Sequence, residues 1–78
     1  MIEVKKVNID NNIVSFEYKT DLDDTYKNIT YNLETDEIIK SDDKISDIRL
    51  NYIFHAIKEI KRRIKEKNIK TDLTVLWY

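Results

Sequence analysis

The chain has 78 residues, of which 37% are charged, and a formal net charge of −1. This length suffices for one domain, residues 1–78, with a small hydrophobic core, and is too short for two. The sequence contains no cysteine, which excludes disulfides, thiolate metal sites and cysteine nucleophiles and predicts a cytoplasmic protein. It also contains no glycine and no proline, which excludes the phosphate-binding loops and nucleophile elbows that depend on glycine.

The sequence predicts neither a signal peptide nor a membrane anchor. No apolar run follows the charged residues near Met1, and no run elsewhere approaches the roughly 20 apolar residues that span a bilayer. We therefore expect no membrane association.

The first part of the sequence predicts a β-hairpin. Residues 2–9 and 13–20 are rich in valine, isoleucine and aromatic residues, and the Asp-Asn-Asn sequence at residues 10–12 separates them. In the second segment apolar and polar residues alternate, which is typical of a strand with one buried face. In the first segment the alternation slips at Lys5 and Lys6, where we expect a bulge or a break.

Residues 21–24 contain three aspartates and predict an acidic loop. A calcium loop of the EF-hand type needs a central glycine and a closing glutamate, whereas the twelfth position from Asp21 is Asn32. We therefore expect a solvated loop and no metal site.

A second hairpin is predicted after this loop. Its strands are expected at residues 27–34 and 37–40, and its turn at Thr35 and Asp36. The residues of its first strand that share one face are Ile29, Tyr31 and Leu33.

The segment from Ser46 to Lys67 predicts one long amphipathic helix. Five apolar residues recur at spacings of three and four, which places them on one side of a helix. This apolar stripe consists of Leu50, Ile53, Ile57, Ile60 and Ile64. Phe54 and Ala56 widen the stripe, one on each flank, so we expect the helix to lie on a sheet.

The ends of this helix carry capping signals. Ser41 and Ser46 are both candidate N-caps, and the acidic residues nearby suit the positive end of the helix dipole. At the other end Asn68 is the candidate left-handed cap. A helix of this length exceeds the expected strands, so we expect the basic end beyond Ile60 to project past the sheet.

Residues 71–78 predict a last strand, in which Leu73, Val75 and Trp77 share one face. The complete order is β-β-β-β-α-β. The sequence therefore predicts an α+β fold: a four-stranded antiparallel meander followed by one long amphipathic helix packed on the sheet and a C-terminal strand.

A second group of apolar residues lies on the back of the predicted helix. Ile48, Tyr52 and His55 are spaced by four and three residues, so they form a ridge. A ridge covered by the 21–27 loop or by the last strand belongs to the core. An exposed ridge instead predicts a contact with a protein partner or with a second copy of the chain, as a homodimer. Acidic residues close in sequence are expected to surround the ridge: Asp42, Asp43 and Asp47.

The two halves of the chain carry opposite charge. Residues 1–48 have a formal charge of −6 and residues 49–70 of +6. This difference favours docking of the helix on its own sheet, and it also fits a basic helix end that binds a nucleic-acid backbone. The phosphate ligands of that alternative are Lys58, Lys61, Arg62 and Lys65. Glu59 and Glu66 interrupt the basic surface, which weighs against it.

Nothing in the sequence supports catalysis. His55 is the single histidine, it is expected to be exposed, and neither a nucleophile nor a set of metal ligands accompanies it. The sequence therefore predicts a small non-enzymatic binding module without cofactors, which acts on an unidentified protein partner. Its bias towards lysine, isoleucine, asparagine and aspartate suggests an AT-rich genome and, by composition alone, a phage or mobile-element accessory or inhibitor protein.

Overall fold

The computed structural model describes residues 2–21, 23–42, 46–67 and 73–75. The elements are β1 (Ile2–Asp10), β2 (Ile13–Thr20), β3 (Lys27–Asn32), β4 (Glu37–Ser41), α1 (Asp47–Lys65) and β5 (Leu73–Val75). The strands pair antiparallel in the order β4-β3-β2-β1-β5. The prediction of an α+β fold with a four-stranded antiparallel sheet and one helix is confirmed. Most of the predicted last strand lies outside the described residues.

The first hairpin follows the predicted pattern, including the slip in β1. The register between β1 and β2 shifts between Lys5 and Asn8, and Lys6 has a φ of 55°. Because of this bulge, Val4 and Val7 are both buried although they are three residues apart. The predicted bulge is therefore confirmed, and its effect is to keep β1 on the core.

Asparagine and aspartate make the turns. Asn11 in the first hairpin and Asp36 in the second have φ values of 56° and 57°. β3 ends two residues before its predicted end, because the side chain of Asn32 accepts hydrogen bonds from the backbone N–H groups of Glu34 and Thr35. These bonds start the turn early.

α1 covers one face of the sheet and forms the core with it. The buried apolar residues are Ile2, Val4, Val7, Val14, Phe16, Tyr18, Ile29, Tyr31, Ile53, Ala56, Ile57 and Ile60. Ile64 also packs against this core, so less of the basic helix end projects past the sheet than predicted. Phe54, expected to widen the buried stripe, is 44% exposed. That prediction is wrong because Phe54 lies on a flank of the helix that the sheet does not cover.

Two ion pairs attach the ends of α1 to loops of the sheet. Near the start, Arg49 donates two hydrogen bonds to the carboxylate of Asp23, at 2.8 and 3.2 Å. It donates a third to the hydroxyl of Tyr18, at 3.3 Å. Near the end, Lys61 pairs with Asp36 in the turn between β3 and β4. α1 therefore runs along the sheet from the end of β2 to the β3–β4 turn.

The structure identifies the N-cap of α1 and the left-handed residue that follows its C-terminal end. Ser46 is the N-cap, and its hydroxyl accepts a hydrogen bond from the backbone N–H of Arg49 at 3.2 Å. Ser41, the other candidate, ends β4. At the C-terminal end the left-handed residue is Lys67, with a φ of 57°, one position before the predicted Asn68, which lies outside the described residues.

We expect Lys67→Gly to stabilise the protein by about 0.5–1 kcal/mol, because glycine lacks the Cβ that makes a left-handed conformation costly. Lys65→Gly, in the last helical residue, is the matched control and should destabilise the protein by about 1 kcal/mol. Thermal unfolding followed by circular dichroism measures both. A loss of stability of the same size in the two variants would contradict a left-handed cap at Lys67.

Candidate protein-interaction surface

The predicted ridge on the back of α1 is fully open to solvent at only one of its three positions. Ile48 is 61% exposed, the highest value for a large apolar residue in the described ranges. Tyr52 is half-buried and packs against the core. His55 is half-buried as well, whereas the sequence predicted an exposed side chain. The structure thus assigns Tyr52 in part to the fold and leaves Ile48 available for contact.

Phe54 joins this exposed surface, although the sequence placed it beside the core. With Asn51, His55 and Lys58 it lines a shallow depression of about 120 Å³ on α1. We call Ile48, Asn51, Phe54, His55 and Lys58 the helix surface. Two large apolar side chains lie there beside an amide, an imidazole and an ammonium group. This mixture resembles the apolar centre and polar rim of protein interfaces.

A larger groove lies between α1 and the end of β3. It has a volume of about 380 Å³, and its lining residues are Tyr31, Asp36, Phe54, Ile57, Lys58 and Lys61. The hydroxyl of Tyr31 donates to Asp36 at 3.3 Å, and Lys61 pairs with the same carboxylate. Burial raises the pKa of Tyr31, and the hydrogen bond from Lys61 lowers the pKa of Asp36. This side groove therefore has apolar walls and one fixed polar end.

The acidic residues predicted around the ridge do not form one surface. The carboxylate of Asp42 accepts hydrogen bonds from the backbone N–H and the side-chain amide of Asn28, at 2.9 and 3.1 Å. The backbone hydrogen bond is the main reason that the pKa of Asp42 is lowered. Asp47 is exposed in the first turn of α1, and Asp43 lies outside the described residues. Asp47 is therefore the acid that the structure places next to Ile48.

Carboxylates pair with much of the predicted basic surface. Lys61 pairs with Asp36, and Arg62 pairs with both Glu59 and Glu66. The hydrogen bond from Arg62 lowers the pKa of Glu59, and the same bond raises that of Arg62. Of the four predicted phosphate ligands, Lys58 and Lys65 form no ion pair with a described side chain. Carboxylates of the protein itself therefore engage two of the four predicted phosphate ligands.

Part of the acidic loop at residues 21–24 is structural. The side chain of Asp23 is 3% exposed, and Arg49 and Thr20 donate hydrogen bonds to its carboxylate. The bond from Arg49 is the main reason that the pKa of Asp23 is lowered. The prediction of a solvated loop is wrong for this residue, because an arginine of the helix reaches it. Among the side chains that the structure describes, no cluster of three or more histidine, aspartate or glutamate residues could hold a metal ion.

Comparison with known proteins gives no match to a protein-family model, to a curated protein or to a solved structure. In the part of the chain that the structure describes, no helix combines the length and the hydrophobicity needed to cross a bilayer. The chemistry of the exposed surfaces is therefore the basis for a functional proposal.

Proposed function

We propose that this protein is a small binding module that acts by protein–protein contact and catalyses no reaction. The observation that carries the proposal is the presence of two exposed large apolar side chains on α1, Ile48 at 61% and Phe54 at 44% exposed, which lie about 120° apart around the helix. Exposed apolar side chains with polar groups between them are typical of protein interaction sites. The expected partner offers an apolar pocket to these two side chains.

The polar residues around Ile48 support the proposal that a partner protein binds the exposed face of α1. Asp47 and Asn51 are four residues apart and therefore neighbours on the helix, and both are exposed. A basic group of a partner can bind Asp47 while the amide of Asn51 forms hydrogen bonds at the border of the apolar contact. Helices that present side chains at these spacings are a common means of recognition between proteins.

The acidic loop, one of the candidate covers of the ridge, is attached elsewhere. Its Asp23 binds Arg49, whose side chain is only 18% exposed. Arg49 follows Ile48 in sequence and points about 100° away from it around the helix. The loop therefore contacts a flank of α1 that faces the sheet, and Ile48 remains exposed.

The ion pairs of α1 weigh against nucleic-acid binding, the alternative function. A phosphate that binds Lys61 or Arg62 has to replace the carboxylates of Asp36, Glu59 and Glu66. Those carboxylates also repel a polyanion. Protein–protein contact is therefore the function that the exposed groups support better.

Ile48→Asp is expected to weaken partner binding at least about tenfold, because it places a charge in the centre of the apolar contact. The fold should be unaffected, since Ile48 is exposed. The experiment is affinity capture from a lysate of the source cells with immobilised wild type, Ile48→Asp and Asn8→Asp, followed by mass spectrometry. Asn8 is an exposed residue of β1 outside the helix surface, so its variant is the matched control.

The proposal expects a protein that wild type and Asn8→Asp retain and Ile48→Asp loses. Equal retention by all three would contradict it, and a captured nucleic acid that salt releases would favour the alternative. Tyr52→Ala is not a suitable variant, because Tyr52 packs against the core and its truncation would also weaken the fold.

A further inference from the structure

β4 forms one edge of the sheet. In the part of the chain that the structure describes, no strand pairs with its outer side. Ile39 on this strand is 55% exposed. Glu37 and Lys40 are exposed as well, and neither forms a salt bridge with a described residue. Such an edge offers backbone N–H and C=O groups to a further strand.

A bulge brings the two charged side chains of β4 to the same face of the sheet. Glu37 pairs with Asn32 in β3, and Lys40 pairs with Thr30, while Ile39 has no residue opposite it. Since Asn32 and Thr30 are two residues apart, they share a face, and so do Glu37 and Lys40. In a regular strand, residues spaced by three would lie on opposite faces. The bulge therefore places Glu37 and Lys40 on one face of β4, and Asp42, which follows the strand, lies close enough to Lys40 to interact with its charge.

We infer that β4 pairs antiparallel with β4 of a second copy of this chain, around a two-fold axis that passes between Ile38 and Ile39. In this register Glu37 of each copy lies opposite Lys40 of the other copy, and Ile38 lies opposite Ile39. Opposite charges attract directly across a pair of strands, whereas a parallel pairing would place like charges together. The edge is thus complementary to itself, as an isologous interface requires.

The same arrangement covers the side groove. A two-fold axis normal to the sheet keeps both helices on one face and turns the two side grooves towards each other. Tyr31, Phe54 and Ile57 of both copies then surround one shared space. Two chains with a net charge of −1 each repel one another little at long range. The inference goes beyond the proposed function. Phe54 and Lys58 line the side groove as well as the helix surface, whereas Ile48 lies outside this seam, so the test with Ile48→Asp does not depend on the dimer.

Charge reversal at β4 tests the inference by sedimentation equilibrium over a concentration series. We expect a dimer for the wild type, and dissociation constants raised at least about tenfold for Glu37→Lys and for Lys40→Glu, because each change makes two attractive pairs repulsive. The double variant Glu37→Lys with Lys40→Glu should dimerise like the wild type. An equimolar mixture of the two single variants should form a heterodimer. Circular dichroism checks that every variant is folded.

Either of two results would overturn the inference. One is a wild type that stays monomeric at protein concentrations up to about 1 mM, because a dimer with a dissociation constant above that value binds too weakly to count as a specific interface. The other is a dimer of unchanged strength in both single variants, which would place the seam away from β4. Neither result affects the capture experiment with Ile48→Asp, since that variant changes a different surface.

Discussion

Ile53→Ala is expected to lower the free energy of unfolding by about 3–4 kcal/mol. Ile53 is 0% exposed and belongs to the apolar stripe of α1. Truncation removes buried methyl and methylene groups and leaves a cavity that the sheet below fills only in part. A chain of this length has a small core, and its total stability is on the order of 3–5 kcal/mol. Urea denaturation followed by circular dichroism should therefore show a variant close to unfolding.

Phe54→Ala is the matched control for Ile53→Ala. It removes a larger side chain from the next position of the same helix, but Phe54 is 44% exposed. We expect a loss below about 1 kcal/mol, the usual size for exposed positions. If Phe54→Ala destabilised the protein as much as Ile53→Ala, the rotation of α1 on the sheet would differ from the one described.

Asp23→Ala is expected to lower the free energy of unfolding by about 2–3 kcal/mol, because it leaves the guanidinium of a mostly buried arginine without its carboxylate. Arg49 is 18% exposed and, among the described side chains, keeps only its contacts with Tyr18, a hydrogen bond to the hydroxyl and a guanidinium 5.9 Å from the ring centroid. Asp24→Ala, which truncates the exposed neighbouring acid, is the matched control. Its urea midpoint should stay near that of the wild type, and equal losses in both variants would argue against the Asp23–Arg49 anchor.

The same ion pair gives the protein a specific response to acid. The hydrogen bond from Arg49 lowers the pKa of Asp23 in the folded state, so the unfolded state binds the proton more readily. The stabilisation is complete above the unfolded pKa of about 4 and is lost as the pH falls through the lower folded pKa. Asp23→Ala should therefore flatten the decline in stability below about pH 4, and an unchanged decline would contradict this role. The pKa values of three further carboxyl groups are also lowered, those of Asp36, Asp42 and Glu59. These groups account for the decline in stability at low pH that remains in Asp23→Ala.

Features that depend on local periodicity could be predicted from the sequence. The alternation in residues 13–20 gave β2 and its buried face, and the change of parity at Lys5 and Lys6 located the bulge. The spacing of three and four residues located α1 and three of its buried residues. In each case the pattern depends only on residues that are close in sequence. Strands β1 to β4 also pair in chain order, so the sequence pattern does not have to choose between alternative strand partners.

Features that depend on how α1 crosses the sheet could not be predicted. Arg49 and Asp23 are 26 residues apart, and their contact requires the helix to begin beside the end of β2. One signal in the sequence was available: Arg49 is the only arginine before residue 62, and the acid-rich loop at residues 21–24 offers it carboxylates. The exposure of Phe54 depends on where the sheet ends beneath the helix. The shared face of Glu37 and Lys40 depends on the bulge at Ile39, which no alternation in so short a strand reveals.

The central claim, that this protein binds protein and not nucleic acid, is tested most directly by its molar mass in solution. Light scattering would be recorded over a concentration series at low salt, with and without a mixed-sequence DNA duplex. We predict that the duplex leaves the mass unchanged at every protein concentration, both for the 9.4 kDa chain and for the dimer expected from β4 pairing. A complex with the duplex that dissociates as salt is added, and that is lost when Lys58 and Lys65 are replaced by glutamate, would contradict the claim.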